Sequence, residues 1–171
     1  MDADSQHIFS YDLAHFIRTE VHGGAKEILR KCKHCLQLSH FGQQIAFSEP
    51  TSAGAALKKG NLLSDDDTLL VEGGWADYQF PKWSPNGGYI AFEHRRGSDK
   101  ESIEVLANRS GAKPQAIYEC DVPTEYSRCD LATWIDEEAV IVVDKNLANK
   151  VTLSGDVTTL ASNIESVVSG N

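Results

Sequence analysis

The stretch Trp-Ser-Pro-Asn-Gly-Gly-Tyr-Ile-Ala-Phe, residues 83–92, has the clearest local pattern in the chain. Asn86-Gly87 favours the positive φ angles of a tight hairpin, and Pro85 pre-sets the backbone for the turn. The turn separates two short apolar runs, residues 80–83 and 89–92, and both have the length of a strand. The stretch therefore predicts a β-hairpin.

Two other segments repeat this pattern. Residues 38–47 (LSHFGQQIAF) align with residues 83–92, and both end in Ile-Ala-Phe. Residues 133–144 (TWIDEEAVIVVD) also align, with Trp134 at the position of Trp83. A further strand, a glycine turn and a last strand follow each unit. Repeats of about 40 to 50 residues with four short strands are typical of β-propeller blades.

These repeats predict an all-β fold of antiparallel, four-stranded propeller blades. The 171 residues form a single array over 1–171, with room for about three to three and a half blades of a partial propeller. An antiparallel β-sandwich is the alternative. The predicted units are a leading half-blade of two strands, 7–32, and three blades, 35–73, 78–120 and 129–161.

Three segments fit the strand pattern less well. Ala25–Cys32 is compatible with a short helical turn or a strand, and Ala53–Leu63 is rich in small residues, Lys and Gly and predicts a loop, with a weak strand as the alternative. The acidic run Asp65–Asp67 predicts a solvated turn, because consecutive carboxylates on a strand point to opposite faces and make a poor metal site.

Residues 78–118 resemble one blade of the TolB-type and prolyl-oligopeptidase-type propellers. The consensus of those blades is Trp-Ser-Pro-Asp-Gly followed by Ile-Ala-Phe, and residues 83–92 match it with Asn86 for the usual Asp. The flanking units match in pattern only. The resemblance implies a propeller that serves as a binding platform, gate or scaffold, by analogy of fold.

Charge and composition exclude several classes of function. The net charge of −9 and the pI near 5.0 argue against non-specific binding to nucleic acid or to anionic membranes. No apolar run approaches the roughly 18 residues of a transmembrane helix. The first residues, MDADSQHIF, lack the regions of a signal peptide. We therefore expect a cytoplasmic protein, with export of a longer precursor as the alternative.

The sequence contains no established catalytic or cofactor motif. The G-x-S-x-G elbow found in the hydrolase domain of the related peptidases is absent, as are the P-loop, G-x-G-x-x-G and H-E-x-x-H. We therefore expect a non-catalytic module without a cofactor. The alternative is a small hydrolase or lyase at the propeller opening, for which His94, Asp77 and Glu93 would have to cluster on one loop face.

Candidate binding residues are aromatic or basic. Trp75, Tyr78 and Tyr126 are predicted in loops beside the strands, where they are candidates for contact with a protein or peptide, with packing in the core between blades as the alternative. His94-Arg95-Arg96 follows a predicted strand and is interpreted as an exposed basic turn, with binding of an anionic ligand as the alternative.

Four cysteines form two pairs, Cys32 with Cys35 and Cys120 with Cys129. They are weak candidates for a structural zinc site, because equivalent positions two blades apart should lie far from one another. A disulfide within either pair would fit an exported protein. Without a signal peptide, we expect reduced thiols.

An array of this length does not close a ring, since propellers usually have four to eight blades. Its end blades would expose apolar faces that a partner must cover. We expect that partner to be a protein or peptide, or a second copy of the chain, with a homodimer favoured.

Overall fold

The computed structural model describes residues 7–11, 15–20, 24–31, 37–52, 54–72, 76–97, 100–121 and 129–162. They form fifteen β-strands and no helix, so no helix in these ranges could cross a membrane. The predicted all-β class is confirmed. The strands are β1 (His7–Tyr11), β2 (His15–Glu20), β3 (Lys26–Lys31), β4 (Gln37–Phe41), β5 (Gln44–Thr51), β6 (Gly54–Asn61), β7 (Ser64–Val71), β8 (Ala76–Trp83), β9 (Tyr89–Arg96), β10 (Lys100–Ala107), β11 (Gln115–Asp121), β12 (Cys129–Trp134), β13 (Ala139–Asp144), β14 (Leu147–Thr152) and β15 (Val157–Ser162).

The strands pair in chain order into antiparallel meanders. We call β1–β3, β4–β7, β8–β11 and β12–β15 the first to fourth sheets. The second and third sheets are also joined edge to edge, because β6 and β8 pair in parallel at Gly54–Ala76 and Ala55–Asp77. The sheets stack in chain order rather than as the two layers of a sandwich, and this arrangement is that of successive propeller blades.

The first sheet has three strands, where the sequence pattern predicts two. The segment Ala25–Cys32 contains β3, which pairs with β2 and is not helical. The β2–β3 turn contains Gly24-Ala25-Lys26, and the β10–β11 connection contains the same tripeptide at 111–113. Gly24 and Gly111 have φ angles of 64° and 72°. By this match, β1–β3 correspond to the last three strands of a blade, and no described strand takes the place of the first.

Two local predictions need correction. The segment Ala53–Leu63, for which a loop was predicted and a weak strand was the alternative, contains the full strand β6, whose small residues Ala55 and Ala56 are buried. Small side chains allow β8 to approach, so this strand lacks the bulky residues that usually mark one. Asp65–Asp67 are exposed, as predicted, but they lie within β7 rather than in a turn.

The Ile-Ala-Phe tripeptide explains how the sheets stack. Successive strand residues point to opposite faces, so Ile and Phe share one face and Ala has the other. In the second sheet, Ile45 and Phe47 pack with Leu29 of the first sheet, while Ala46 packs with Ile90 of the third. We call the side toward the preceding sheet the back face and the other side the forward face.

The third sheet follows the same rule. Ile90 and Phe92 point back to the second sheet, and Ala91 points forward into the core that contains Val140 and Val142 of the fourth sheet. Each internal junction therefore joins a forward face to a back face. At this position in the motif, a small forward residue packs against large residues of the next sheet.

The Trp-Ser-Pro-Asn-Gly segment forms the predicted hairpin connection, residues 84–88, in which Gly87 but not Asn86 has a positive φ. Asn86 Oδ1 accepts hydrogen bonds from Ser84 Oγ at 2.9 Å and from the Gly88 backbone N at 2.8 Å. A carboxylate of the consensus Asp could accept the same two bonds, so Asn86 preserves the turn. Gly87 has a φ of 68°, and the ring of Phe41 from the second sheet lies where its Cβ would be.

Candidate functional site

His94, Arg95 and Arg96 form the end of β9 and not an exposed turn. They pair in register with β10, and Arg96 lies opposite Lys100. His94 is only 7% exposed, whereas Arg96 is exposed at the strand end. The sequence pattern predicts an earlier strand end because these side chains are polar, but burial at a sheet junction is compatible with polar groups that find partners.

His94 belongs to a polar row on the back face of the third sheet. Cross-strand partners place Tyr78, His94, Ser102 and Glu119 side by side on β8, β9, β10 and β11. The rings of Tyr78 and His94 lie 4.4 Å apart between centroids. Tyr78 is 5% exposed and lies within β8. It is therefore a core residue between blades, which was the alternative interpretation, and not a loop contact residue.

Glu104 accepts hydrogen bonds from the two basic side chains on this face, His94 and Arg96. Its Oε1 accepts hydrogen bonds from His94 Nδ1 at 2.7 Å, Arg96 Nη2 at 2.9 Å and Ser102 Oγ at 3.2 Å. Burial acts to raise the pKa of Glu104, but the hydrogen bonds and charges of His94 and Arg96 outweigh it and hold that pKa below its usual value. Arg96 and His94 are therefore partnered within the fold.

An open cleft of about 240 Å³ lies beside this row. Basic Arg96 and Lys100 line it together with acidic Glu101 and Glu119. Arg96 is already bonded to Glu104, and the remaining charges are of mixed sign, so the cleft does not concentrate positive charge as an anion site requires. This arrangement does not favour the anion-binding alternative for residues 94–96.

The forward face of the third sheet binds the first strand of the fourth. Glu93 Oε1 accepts a hydrogen bond from the Leu131 backbone N at 2.8 Å, and Glu101 Oε2 accepts one from the Cys129 backbone N at 3.0 Å. Arg95 Nη2 lies 3.5 Å from Glu101 Oε1. Burial is the main cause that raises the pKa of Glu93 to about 8. Both glutamates act as connectors between sheets.

The three residues of the enzyme alternative do not converge. Glu93 and Asp77 lie on the forward face, since Asp77 is the cross-strand partner of Arg95. His94 lies on the back face with Glu104. Neighbouring residues of one strand point to opposite sides, and this alternation separates the imidazole from both carboxylates.

Cys120 and Cys129 form a disulfide, with their Cα atoms 6.3 Å apart. The expectation of reduced thiols is wrong for this pair, because β11 ends and β12 begins next to each other at the same sheet junction. The bonded sulfurs are also unsuited to the four-cysteine zinc site. Cys32, Cys35, Trp75 and Tyr126 lie outside the described residues. Within the described part of the chain, no group of three His, Cys, Asp or Glu side chains could hold a metal ion.

The forward face of the fourth sheet has no partner among the described residues. Val140 and Val142 are buried against the third sheet, so Ile141 and Val143 point to the opposite side, where both are only half-buried. Strand register aligns two cross-strand rows on this face: Thr133, Ile141, Lys150 and Thr158, and Asp130, Val143, Ala148 and Ala161. This face therefore combines apolar side chains, Ile141 and Val143 among them, with polar ones that include Lys150 on the inner strand β14.

The back face of the first sheet also has no partner among the described residues. Leu29 packs forward on the second sheet, so its neighbour Ile28 points back and is 54% exposed. Ile17 is the cross-strand partner of Ile28 and shares that face. Neither these residues nor Ile141 and Val143 are among the sequence-predicted candidates. The unbroken apolar run Ala139–Val143 was the available signal, since it indicates a strand that is covered on both faces.

Comparison with known proteins gives a likeness of structure. No protein-family model and no curated protein matches the sequence. TolB from Acinetobacter baumannii superimposes with a TM-score of 0.65 at 13% identity, over 93% of this chain and 41% of that one. Oligogalacturonate lyase from Vibrio parahaemolyticus gives 0.65 at 11% identity, over 93% and 50%.

A third similar structure is the β-propeller domain of the Trilobed protease from Pyrococcus furiosus. Its TM-score is 0.54 at 11% identity, over 91% of this chain and 53% of that one. This chain thus spans about half the length of the solved structures it matches, or less. The fold assigns no activity by analogy, because one fold supports many functions. The chain has the fold of part of a TolB-type and prolyl-peptidase-type β-propeller.

Proposed function

We propose that the chain is a non-catalytic interaction module that associates with a second copy of itself through the open faces of its first and fourth sheets. The observation that carries this proposal is the contrast between internal and terminal faces. The three internal junctions bury apolar side chains from both sheets. The terminal faces leave Ile28, Ile141 and Val143 partly in contact with water. Exposed apolar patches of this kind mark interaction surfaces.

The choice of a second copy is supported by the size of similar structures. The chain covers 41%, 50% and 53% of the three propellers described above. Two copies therefore contain about the number of residues of one such propeller. Homo-oligomers usually have closed symmetry, and a ring of two chains leaves no sheet face open.

The polar groups of the third sheet support a structural role more than a catalytic one. His94 and Arg96 are bonded to Glu104, and Glu93 accepts a backbone N–H from β12. A catalytic group must face a space that a substrate can reach. Glu93 instead lies inside a sheet junction, where it is 5% exposed.

The test is the absolute mass in solution at two concentrations, by light scattering after size exclusion. We expect a particle of twice 18.8 kDa, with a monomer fraction that grows on dilution. A well-folded monomer at micromolar concentration would contradict self-association. Soluble aggregates that disappear only with a different protein would indicate a heterologous partner instead.

A further inference from the structure

We infer that the second copy docks head to tail, with the forward face of the fourth sheet of one copy against the back face of the first sheet of the other. This inference rests on the proposed self-association and specifies its two faces. A dimer with this arrangement contains two identical junctions, and each copy contributes one forward and one back face. The interface centres are Ile141 and Val143 on one side, and Ile17 and Ile28 on the other.

At each internal junction, the sheet that comes earlier in the chain presents its forward face and the later sheet presents its back face. Leu29 of the first sheet packs forward on Ile45 and Phe47, and Ala91 of the third packs forward on Val140 and Val142. All three internal junctions therefore join a forward face to a back face. A second copy that continues this direction meets a surface of the kind that the array already uses three times.

The forward residue differs in size between the internal sheets and the fourth sheet. Trp83 pairs with Ile90 and Trp134 with Val140, so the residues that follow, Ala91 and Ile141, are equivalent. The forward faces of the second and third sheets carry Ala46 and Ala91 here, opposite bulky back-facing residues. The fourth sheet carries isoleucine instead. A bulkier forward residue needs a back face that leaves more room.

The described strands of the first sheet leave that room on its back face, where Ile28 is 54% exposed. Its strands correspond to the last three of a blade, and no described strand occupies the place of the first. At the junction between the third and fourth sheets, that first strand is β12, and Glu93 accepts its Leu131 N–H. By the same register, Val143 takes the place of Glu93. An apolar residue thus stands at the position of the acceptor, and no described strand of the first sheet takes the place of β12.

The two faces therefore differ from internal faces in complementary ways. The forward face of the fourth sheet has Ile141 where the third sheet has Ala91, and Val143 where the third sheet has the acceptor Glu93. The back face exposes Ile28 beside Ile17, and no described strand takes the place of a first strand there.

Three single variants and one mixture test the arrangement. Ile141→Asp and Ile28→Asp each place a carboxylate at one proposed face, and Leu69→Asp is the matched control. Leu69 is an apolar residue of β7 with 50% exposure, on the second sheet. We expect each face variant to raise the dimer dissociation constant about a hundredfold or more, and the control to leave it unchanged. Thermal unfolding of each monomer verifies that the variants are folded.

Mixing the two face variants distinguishes head-to-tail docking from forward-to-forward and back-to-back docking. In an equimolar mixture, one junction of the heterodimer contains both aspartates and the other contains two native faces. We expect the mixture to dimerise more tightly than either variant alone. If only Ile141→Asp abolishes the dimer, the contact is forward to forward; if only Ile28→Asp does, it is back to back. Either result overturns this inference while self-association stands. A monomeric native chain overturns both.

Discussion

Glu93 Oε1 accepts a hydrogen bond of 2.8 Å from the Leu131 backbone N, across the junction between the third and fourth sheets. Glu93 is 5% exposed, so water does not solvate its charge. Burial raises the pKa of Glu93 to about 8, and the hydrogen bond from Leu131 lowers it only in part. The carboxyl group is therefore neutral at neutral pH and still holds β12 through its carbonyl oxygen.

This pKa predicts that stability falls with rising pH. The folded chain keeps the Glu93 proton up to about pH 8, whereas the unfolded chain releases it near the ordinary glutamate pKa of 4.5. The stabilisation is complete below pH 4.5 and is lost as the pH rises to about 8, by at most about 1.4 kcal/mol per pH unit. Glu93→Gln keeps an acceptor oxygen, so we expect it to remove this pH dependence.

The measurement is the free energy of unfolding of both proteins by urea at pH 6, 7 and 8.5. We expect the variant to be more stable than the native chain already at pH 6, and its advantage to grow as the pH rises to 8.5. Glu137→Gln, at an exposed position, is the control for removal of a carboxyl group. A constant difference between native chain and variant across the pH range would contradict the raised pKa.

Gly87→Ala is predicted to be more harmful than Gly42→Ala. Both glycines have positive φ, 68° and 56°, so each substitution costs about 1 kcal/mol of backbone strain. At Gly87 the new Cβ would also overlap the Phe41 ring, while at Gly42 nothing lies within 4 Å. We expect losses of about 2 to 4 and about 1 kcal/mol, respectively. Denaturant unfolding of the two variants gives both values.

A double variant identifies the cause of that difference. Phe41→Ala removes the ring that the Gly87 Cβ would meet. If the contact causes the extra loss, Gly87→Ala in the Phe41→Ala background costs no more than Gly42→Ala does. Purely additive effects would show that the ring is not responsible.

Reduction of the Cys120–Cys129 disulfide is predicted to destabilise the protein. The bond closes a loop with a sequence separation of 9, so the loss is about 2 to 3 kcal/mol by the chain-entropy relation. The experiment compares urea unfolding with and without reductant in a Cys32→Ser, Cys35→Ser background, where reduction acts on this pair alone. The further change of Cys120 and Cys129 to serine should reproduce the reduced value. An unchanged midpoint would show that the bond is not formed in solution.

Loss of the Glu104 carboxylate is predicted to destabilise the third sheet. Glu104→Ala leaves His94 and Arg96 without their acceptor, and we expect a loss of about 2 to 3 kcal/mol at pH 7. The pKa of Glu104 is held below its usual value, so its stabilisation is present above about pH 4.5 and is lost as the pH falls through the folded pKa. The loss measured by urea unfolding should therefore shrink in acid.

An exposed ion pair provides the comparison for Glu104. Arg18 and Glu27 pair on the surface of the first sheet. Glu27→Ala should cost no more than about 1 kcal/mol, because solvent screens such pairs. Equal losses for the two variants would contradict a special role for the buried carboxylate.

The local sequence pattern was sufficient to predict the blades but not every strand within them. The Asn86-Gly87 turn and the Ile-Ala-Phe alternation depend on backbone sterics and strand periodicity, which neighbouring residues impose on one another. They correctly indicated a propeller-like array. β6 was predicted only as the weaker alternative to a loop, because Ala55 and Ala56 have weak strand preference in isolation and acquire it from burial beside β8.

The candidate sites depended on contacts between residues far apart in the chain. Nothing in the local sequence indicates that Glu93 reaches Leu131 or that Cys120 bonds Cys129, because stacking of the third and fourth sheets creates both contacts. Residues 94–96 looked like a free basic turn until pairing of β9 with β10 placed Glu104 beside them. Hydrophobic periodicity thus specifies which side of each strand is buried, whereas sheet stacking specifies what each side meets.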